Sequence, residues 1–145
     1  MCIFIALCGC LVFYSIAAPV DPALENLGAG EYHIYSTENV SSELVTKTTD
    51  LGFSYIYHCE SSDAAQLRSL FTHIDGESIV LENKSAAQVL RTLRYKEISR
   101  TDDIVYAYSP RGRTFINAGN KRVNLQIAKS NNTLVVGWPV ILGSY

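Results

Sequence analysis

A chain of 145 residues with 12 basic and 14 acidic side chains, formal charge −2, has room for one hydrophobic core and not for two. The signs are mixed and no basic stripe or polybasic run is present. That excludes duplex nucleic acid and electrostatic capture by anionic lipid as partners read from charge.

Residues 1–20, from Met1 to Val20, carry no charge and are almost continuously apolar. Such a run at an N-terminus is a secretory signal peptide or a membrane anchor. Ser15-Ile16-Ala17 places small residues where signal peptidase reads them, and Pro19, Asp21 and Pro22 end the segment on either reading. No Lys or Arg precedes the run. Leu7-Cys8-Gly9-Cys10 loosely resembles a lipoprotein box, but the apolar run before Cys10 is too short and Leu11-Val12-Phe13 after it is apolar. Residues 1–18 are therefore expected to act as signal or anchor and to be the only contact with a membrane. The rest is expected to work outside the cytoplasm. Cys2, Cys8 and Cys10 lie in that segment and Cys59 stands alone beyond it, so an intramolecular disulfide is not expected after cleavage.

Residues 19–30 are rich in Pro, Gly and Ala and read as a linker; residues 31–145 read as one domain. Tyr32-His33-Ile34-Tyr35 is a short strand. Val40, Leu44 and Val45 predict a helix over 39–50 with Gly52 as its stop, although Thr46, Thr48 and Thr49 weaken it. Phe53 to Cys59 is a strand of aromatic and β-branched residues. Ser61-Ser62-Asp63 offers cap oxygens to a helix whose apolar face is Leu67, Leu70, Phe71 and Ile74. Ser78 to Leu81 is a strand. Ser85 and Gln88 then form a capping box ahead of a stripe of Ala86, Val89, Leu90 and Leu93. Ala64-Ala65-Gln66-Leu67-Arg68 is echoed by Ala86-Ala87-Gln88-Val89-Leu90-Arg91, through duplication or because both are good helix openings.

Beyond Arg100 the period changes to alternation. Ile104 to Ser109 is a strand, and Phe115-Ile116-Asn117 turns through Ala118-Gly119-Asn120-Lys121. Val123, Leu125 and Ile127 are expected on one face, with Asn124, Gln126 and Ala128 on the other. Ser130-Asn131-Asn132 is a second turn, and Thr133 to Val136 and Val140 to Leu142 complete the run, broken at Gly137-Trp138-Pro139. Strands without intervening helices pair antiparallel. The expected class is α+β, an antiparallel sheet with two or three helices packed on one face.

Lys121-Arg122-Val123-Asn124-Leu125-Gln126-Ile127-Ala128, then Val136-Gly137-Trp138-Pro139-Val140-Ile141 and the terminal Tyr145, resemble the YwmB-type proteins. Glu77 to Glu82 and Tyr106 to Pro110 resemble the same pattern. The likeness covers about residues 77–145, and Trp138 departs from it where a small polar residue is usual. It implies an exported protein of Gram-positive, mostly spore-forming bacteria with no settled biochemical role. The family is sometimes labelled after the TATA-binding protein for its fold, but fold likeness does not carry function.

Residues that carry chemistry are sparse. His58 and Cys59 are adjacent on a strand and point to opposite faces, so His58 cannot serve Cys59 as a base. His33, His58 and His73 share no ligand spacing, and Asp102-Asp103 reads as a turn; neither a metal site nor a cofactor is expected. Three Asn-x-Ser/Thr matches, at Asn39, Asn83 and Asn131, matter only in a eukaryotic secretory protein. Arg111-Gly112-Arg113 is a basic loop able to meet an acidic wall polymer or phosphate. The sheet face carrying Asn124 and Gln126, with Tyr106 and Tyr108 from a neighbouring strand, offers donors and acceptors suited to sugars or peptide backbone. Trp138 beside Pro139 is either an exposed docking anchor or a core plug. The function expected is a non-enzymatic extracytoplasmic binding or regulatory module at the cell envelope, contacting a wall component or another exported protein. The rival is an envelope hydrolase, which requires titratable groups converging in a cleft.

Overall fold

The computed structural model describes residues 21–142; the apolar segment expected to be a signal or anchor, with Cys2, Cys8 and Cys10, and Tyr145 at the other end, lie outside the described residues. Ten strands run through it: β1 (Glu31–Ser36), β2 (Lys47–Asp50), β3 (Tyr55–Glu60), β4 (Gly76–Glu82), β5 (Lys96–Arg100), β6 (Ile104–Tyr108), β7 (Ile116–Ala118), β8 (Lys121–Val123), β9 (Leu125–Ser130) and β10 (Thr133–Trp138). Eight of them form one sheet in the order β2-β3-β1-β4-β10-β9-β6-β5. Every neighbouring pair is antiparallel. β7 and β8 make a separate hairpin.

This corrects the α+β expectation. The described residues are mainly β, with two short α-helices, α1 (Ala64–Arg68) and α2 (Ala86–Leu93). The helix expected over 39–50 is absent. Its threonines, Thr48 and Thr49 among them, pair in β2 against Tyr57 and Ile56, because β-branched side chains keep their rotamers in a strand and lose them in a helix. Gly52 is no helix stop. It turns between β2 and β3 with φ +90°, its N–H held by Asp50 Oδ1 at 2.7 Å. The stretch before Arg100, read as helical, is instead the edge strand β5.

Helix α1 stops early. After Arg68 the backbone tightens to three-residue bonds, from Leu70 N to Leu67 O and from Phe71 N to Arg68 O. The Glu38 carboxylate then captures the N–H groups of Thr72 and His73. Leu67 reaches the core, but Leu70 is exposed. Helix α2 matches its sequence signal: Ser85 Oγ accepts from Gln88 N, and Gln88 Oε1 accepts from Ser85 N at 2.8 Å. No helix among the described residues is long and apolar enough to cross a membrane.

The sheet has two different faces. Tyr32, Ile34, Tyr57, Cys59, Ile79, Leu81, Ile127 and Val136 alternate onto one face and make the core. Leu24 and Leu27, from a 3-10 turn at Leu24–Leu27, pack into it with Leu67 and Val89. The stretch read as a linker thus supplies core residues from within its composition of small and turn-forming side chains. The other face is partly covered by the chain after β10. A Cβ on Gly137 would lie 2.6 Å from the Ile141 backbone nitrogen, so only glycine admits that segment.

Candidate functional site

The five residues expected to bind a ligand do not form one surface. Asn124 is fully buried and fastens a loop: Ser109 N donates to its Oδ1 at 2.9 Å, and its Nδ2 donates to the Ser109 carbonyl at 2.9 Å. Gln126 and Tyr106 do meet, as direct partners across β9 and β6, but Gln126 Oε1 is occupied by the Ile141 N–H at 3.1 Å. Tyr108 lies further along β6, opposite Lys96 of the edge strand. Trp138 is 5% exposed and stands beside Glu77 across β10 and β4, in the core. The alternation that puts Leu125 and Ile127 inward is real, but strand breaks and covering segments consume the polar residues between them.

One well-formed hollow, about 390 Å³, opens where β9 turns into β10. Its floor is apolar, from Val105, Ile127 and Leu134, and its rim carries Lys84, Lys129, Arg100, Asp102 and Asp103. Three turns build it. Asn83 and Asn131 take left-handed φ of 54° and 50°, which asparagine tolerates, and Thr101 closes the β5–β6 turn onto Ile104. Arg100 is held by Glu97 through bonds of 3.0 and 2.7 Å. Among the described residues neither Lys84 nor Lys129 has an ion-pair partner.

A second hollow, about 500 Å³, is lined by Arg68, Glu77, Phe71, Ile74 and Trp138. Arg68 and Glu77 belong to one network with Glu25 and Tyr32. Arg68 donates Nε to Glu77 at 2.6 Å, both terminal nitrogens to Glu25 at 3.0 and 2.8 Å, and one of these to the Tyr32 hydroxyl at 2.8 Å. Burial lifts the Glu77 carboxyl above the usual carboxylate range despite Arg68. Burial also raises Glu25, but the Arg68 hydrogen bonds outweigh it and hold that carboxyl low. Burial and the nearby carboxylates raise Tyr32, and the Arg68 guanidinium is locked in its charged form. Cys59 is 1% exposed, and burial with nearby acids pushes its thiol up to about 11.

On the face away from the core, Glu31 and His33 stand two apart on β1, and His58 of β3 is the direct partner of His33. Glu31 Oε1 lies 3.1 Å from His33 Nε2 and 3.1 Å from His58 Nδ1. The His33 contact lacks hydrogen-bond direction, which leaves that buried nitrogen without a hydrogen-bond partner. Burial raises the Glu31 carboxyl, and the two imidazoles more than reverse that. Burial lowers His33. No metal cluster was expected, because linear spacing shows no ligand motif. The local signal was Glu31-x-His33 on one strand face; the third member needs the β1–β3 register. His73 stays apart, beside Asp75 at 3.1 Å.

No protein-family model, curated protein or solved structure matches the chain.

Proposed function

We propose that this chain is a non-enzymatic extracytoplasmic binding module of the YwmB type, acting at the cell envelope and seating an anionic group of a wall polymer in the hollow ringed by Lys84, Lys129 and Arg100. The observation that carries the reading is the pair of lysines without ion-pair partners on the rim of a concave site with an apolar floor. Lys84 and Lys129, outside any ion pair among the described residues although Asp102 and Asp103 share the rim, are each able to meet an anionic group, and the floor favours a ligand with an apolar or sugar-ring body. The hydrolase alternative lacks comparable support. The perturbed groups Arg68, Glu25, Glu77 and Tyr32 saturate one another, and a buried thiol raised to about 11 is held protonated and is no nucleophile.

The test is sedimentation of the full chain with cell walls prepared with and without their anionic polymers. Salt-sensitive retention on the polymer-bearing walls, reduced at least tenfold by Lys84→Glu with Lys129→Glu, is expected. Equal retention of the double variant, or release of cleaved wall fragments, overturns the reading. Mass spectrometry of the protein in its host fraction decides separately whether the leading segment is removed.

A further inference from the structure

We propose that Glu31, His33 and His58 form a binding site for a divalent transition-metal ion, with three protein ligands and an open position toward solvent. The donor set is one carboxylate oxygen and two imidazole nitrogens. That set suits Zn²⁺ and its first-row neighbours and is poor for Mg²⁺ or Ca²⁺, which prefer oxygen throughout. The three donor atoms lie within 4.8 Å of one another. Metal–ligand bonds of about 2.0–2.2 Å in tetrahedral geometry set donors roughly 3.4 Å apart. The contacts of 3.1 Å from Glu31 Oε1 to each ring need only a small outward adjustment to admit an ion.

The outer contacts favour the same assignment. His33 Nδ1 lies 3.3 Å from the buried Ser78 Oγ, which in turn meets the Tyr35 hydroxyl at 3.1 Å. His58 Nε2 lies 3.3 Å from Thr49 Oγ1. Each ring thus has a hydroxyl on its far nitrogen, the arrangement that fixes the tautomer and orientation of a metal-bound imidazole. The tautomers that donate N–H to Ser78 and Thr49 turn both remaining lone pairs toward the Glu31 carboxylate. Without an ion His58 Nδ1–H can instead donate to Glu31 Oε1 at 3.1 Å; in the tautomers that donate to Ser78 and Thr49, two lone pairs facing an anion call for a cation between them. A metal ion supplies it and gives the orphan His33 Nε2 a partner.

The supports are rigid. β1 is paired on both sides, by β3 and β4, so the spacing of the two histidines is set by backbone ladders rather than by loops. The ring centroids are 4.5 Å apart and inclined at 65°, which lets both nitrogens converge instead of stacking. Glu31 is 58% exposed and forms the entry path. Lys47, opposite His58, and Glu60, opposite Glu31, are the flanking charges on this face, and they have opposite signs.

The test uses the purified full chain without an affinity tag, stripped of metal and titrated with Co²⁺ and then Zn²⁺. One Co²⁺ per chain with the absorption of a four- or five-coordinate nitrogen–oxygen site, displaced by Zn²⁺, is expected. Affinity should fall at least tenfold in Glu31→Gln and in His58→Ala, and stay unchanged in His73→Ala. Glu31→Gln, on an exposed side chain, keeps the test valid if His58→Ala unfolds. Failure to bind at micromolar metal, binding unaffected by Glu31→Gln, or a spectrum dominated by thiolate charge transfer overturns the assignment.

Discussion

Arg68 bonds Glu77 through Nε at 2.6 Å and Glu25 through both terminal nitrogens, so one guanidinium from α1 ties β4 to the 3-10 turn at the start of the domain. Two carboxylates thus share one cation in a largely buried place. Removing the cation should be far worse than neutralising one acid. Arg68→Met is expected to cost about 3–5 kcal/mol in urea unfolding, because it strands two carboxylates. Glu77→Gln retains an acceptor for Arg68 Nε and leaves the Glu25 pair neutral as a unit; it should cost under about 1 kcal/mol.

The same cluster sets a two-sided pH response. Glu77 has a folded pKa raised by burial, so the folded state takes up its proton first, and stability rises as pH falls from neutrality toward the ordinary carboxylate range. Glu25 is depressed by Arg68, so its contribution is present above the ordinary carboxylate value and is lost as pH falls through its folded pKa. Denaturant midpoints measured from pH 7 to pH 3 should rise slightly and then fall. Glu77→Gln should remove the rise, and Glu25→Gln should flatten the fall.

Trp138 fills the core beside Glu77 rather than waiting for a partner. Trp138→Ala should lower stability by about 3–5 kcal/mol, with a large fall in Tm measured by circular dichroism. A variant that melts at the parental temperature would return the indole to the surface.

Asn124 satisfies both backbone groups of Ser109 inside the fold. Asn124→Ala leaves a buried N–H and a buried carbonyl unpaired and should cost about 2–3 kcal/mol by urea unfolding. Gly112→Ala should act on the same clamp, since a Cβ there would lie 2.5 Å from Asn124 Nδ2. Faster amide exchange at Ser109 in both variants would locate the damage.

Patterns written within a few residues were legible in the chain itself. The alternation of Leu125 and Ile127, the capping box at Ser85 and Gln88, and the turns at Gly119 and Asn131 depend on neighbours along the backbone, and each is in place, whereas Val123, expected on the same strand, sits in the separate β7–β8 hairpin. Where local tendencies were balanced, long-range pairing decided. The segment holding Thr48 and Thr49 became a strand because β3 offered it a ladder, and Leu24 and Leu27 left a linker-like sequence for the core. The candidate sites belong wholly to that second kind. His58 meets Glu31 and His33 only through the β1–β3 register, Lys84 and Lys129 share a rim only once three turns are stacked, and Asn124 is buried only because the Ser109 loop closes over it. Periodicity records which side of an element is apolar, but pairing register and burial arise from residues far apart in the chain, whose contacts form together when the sheet closes.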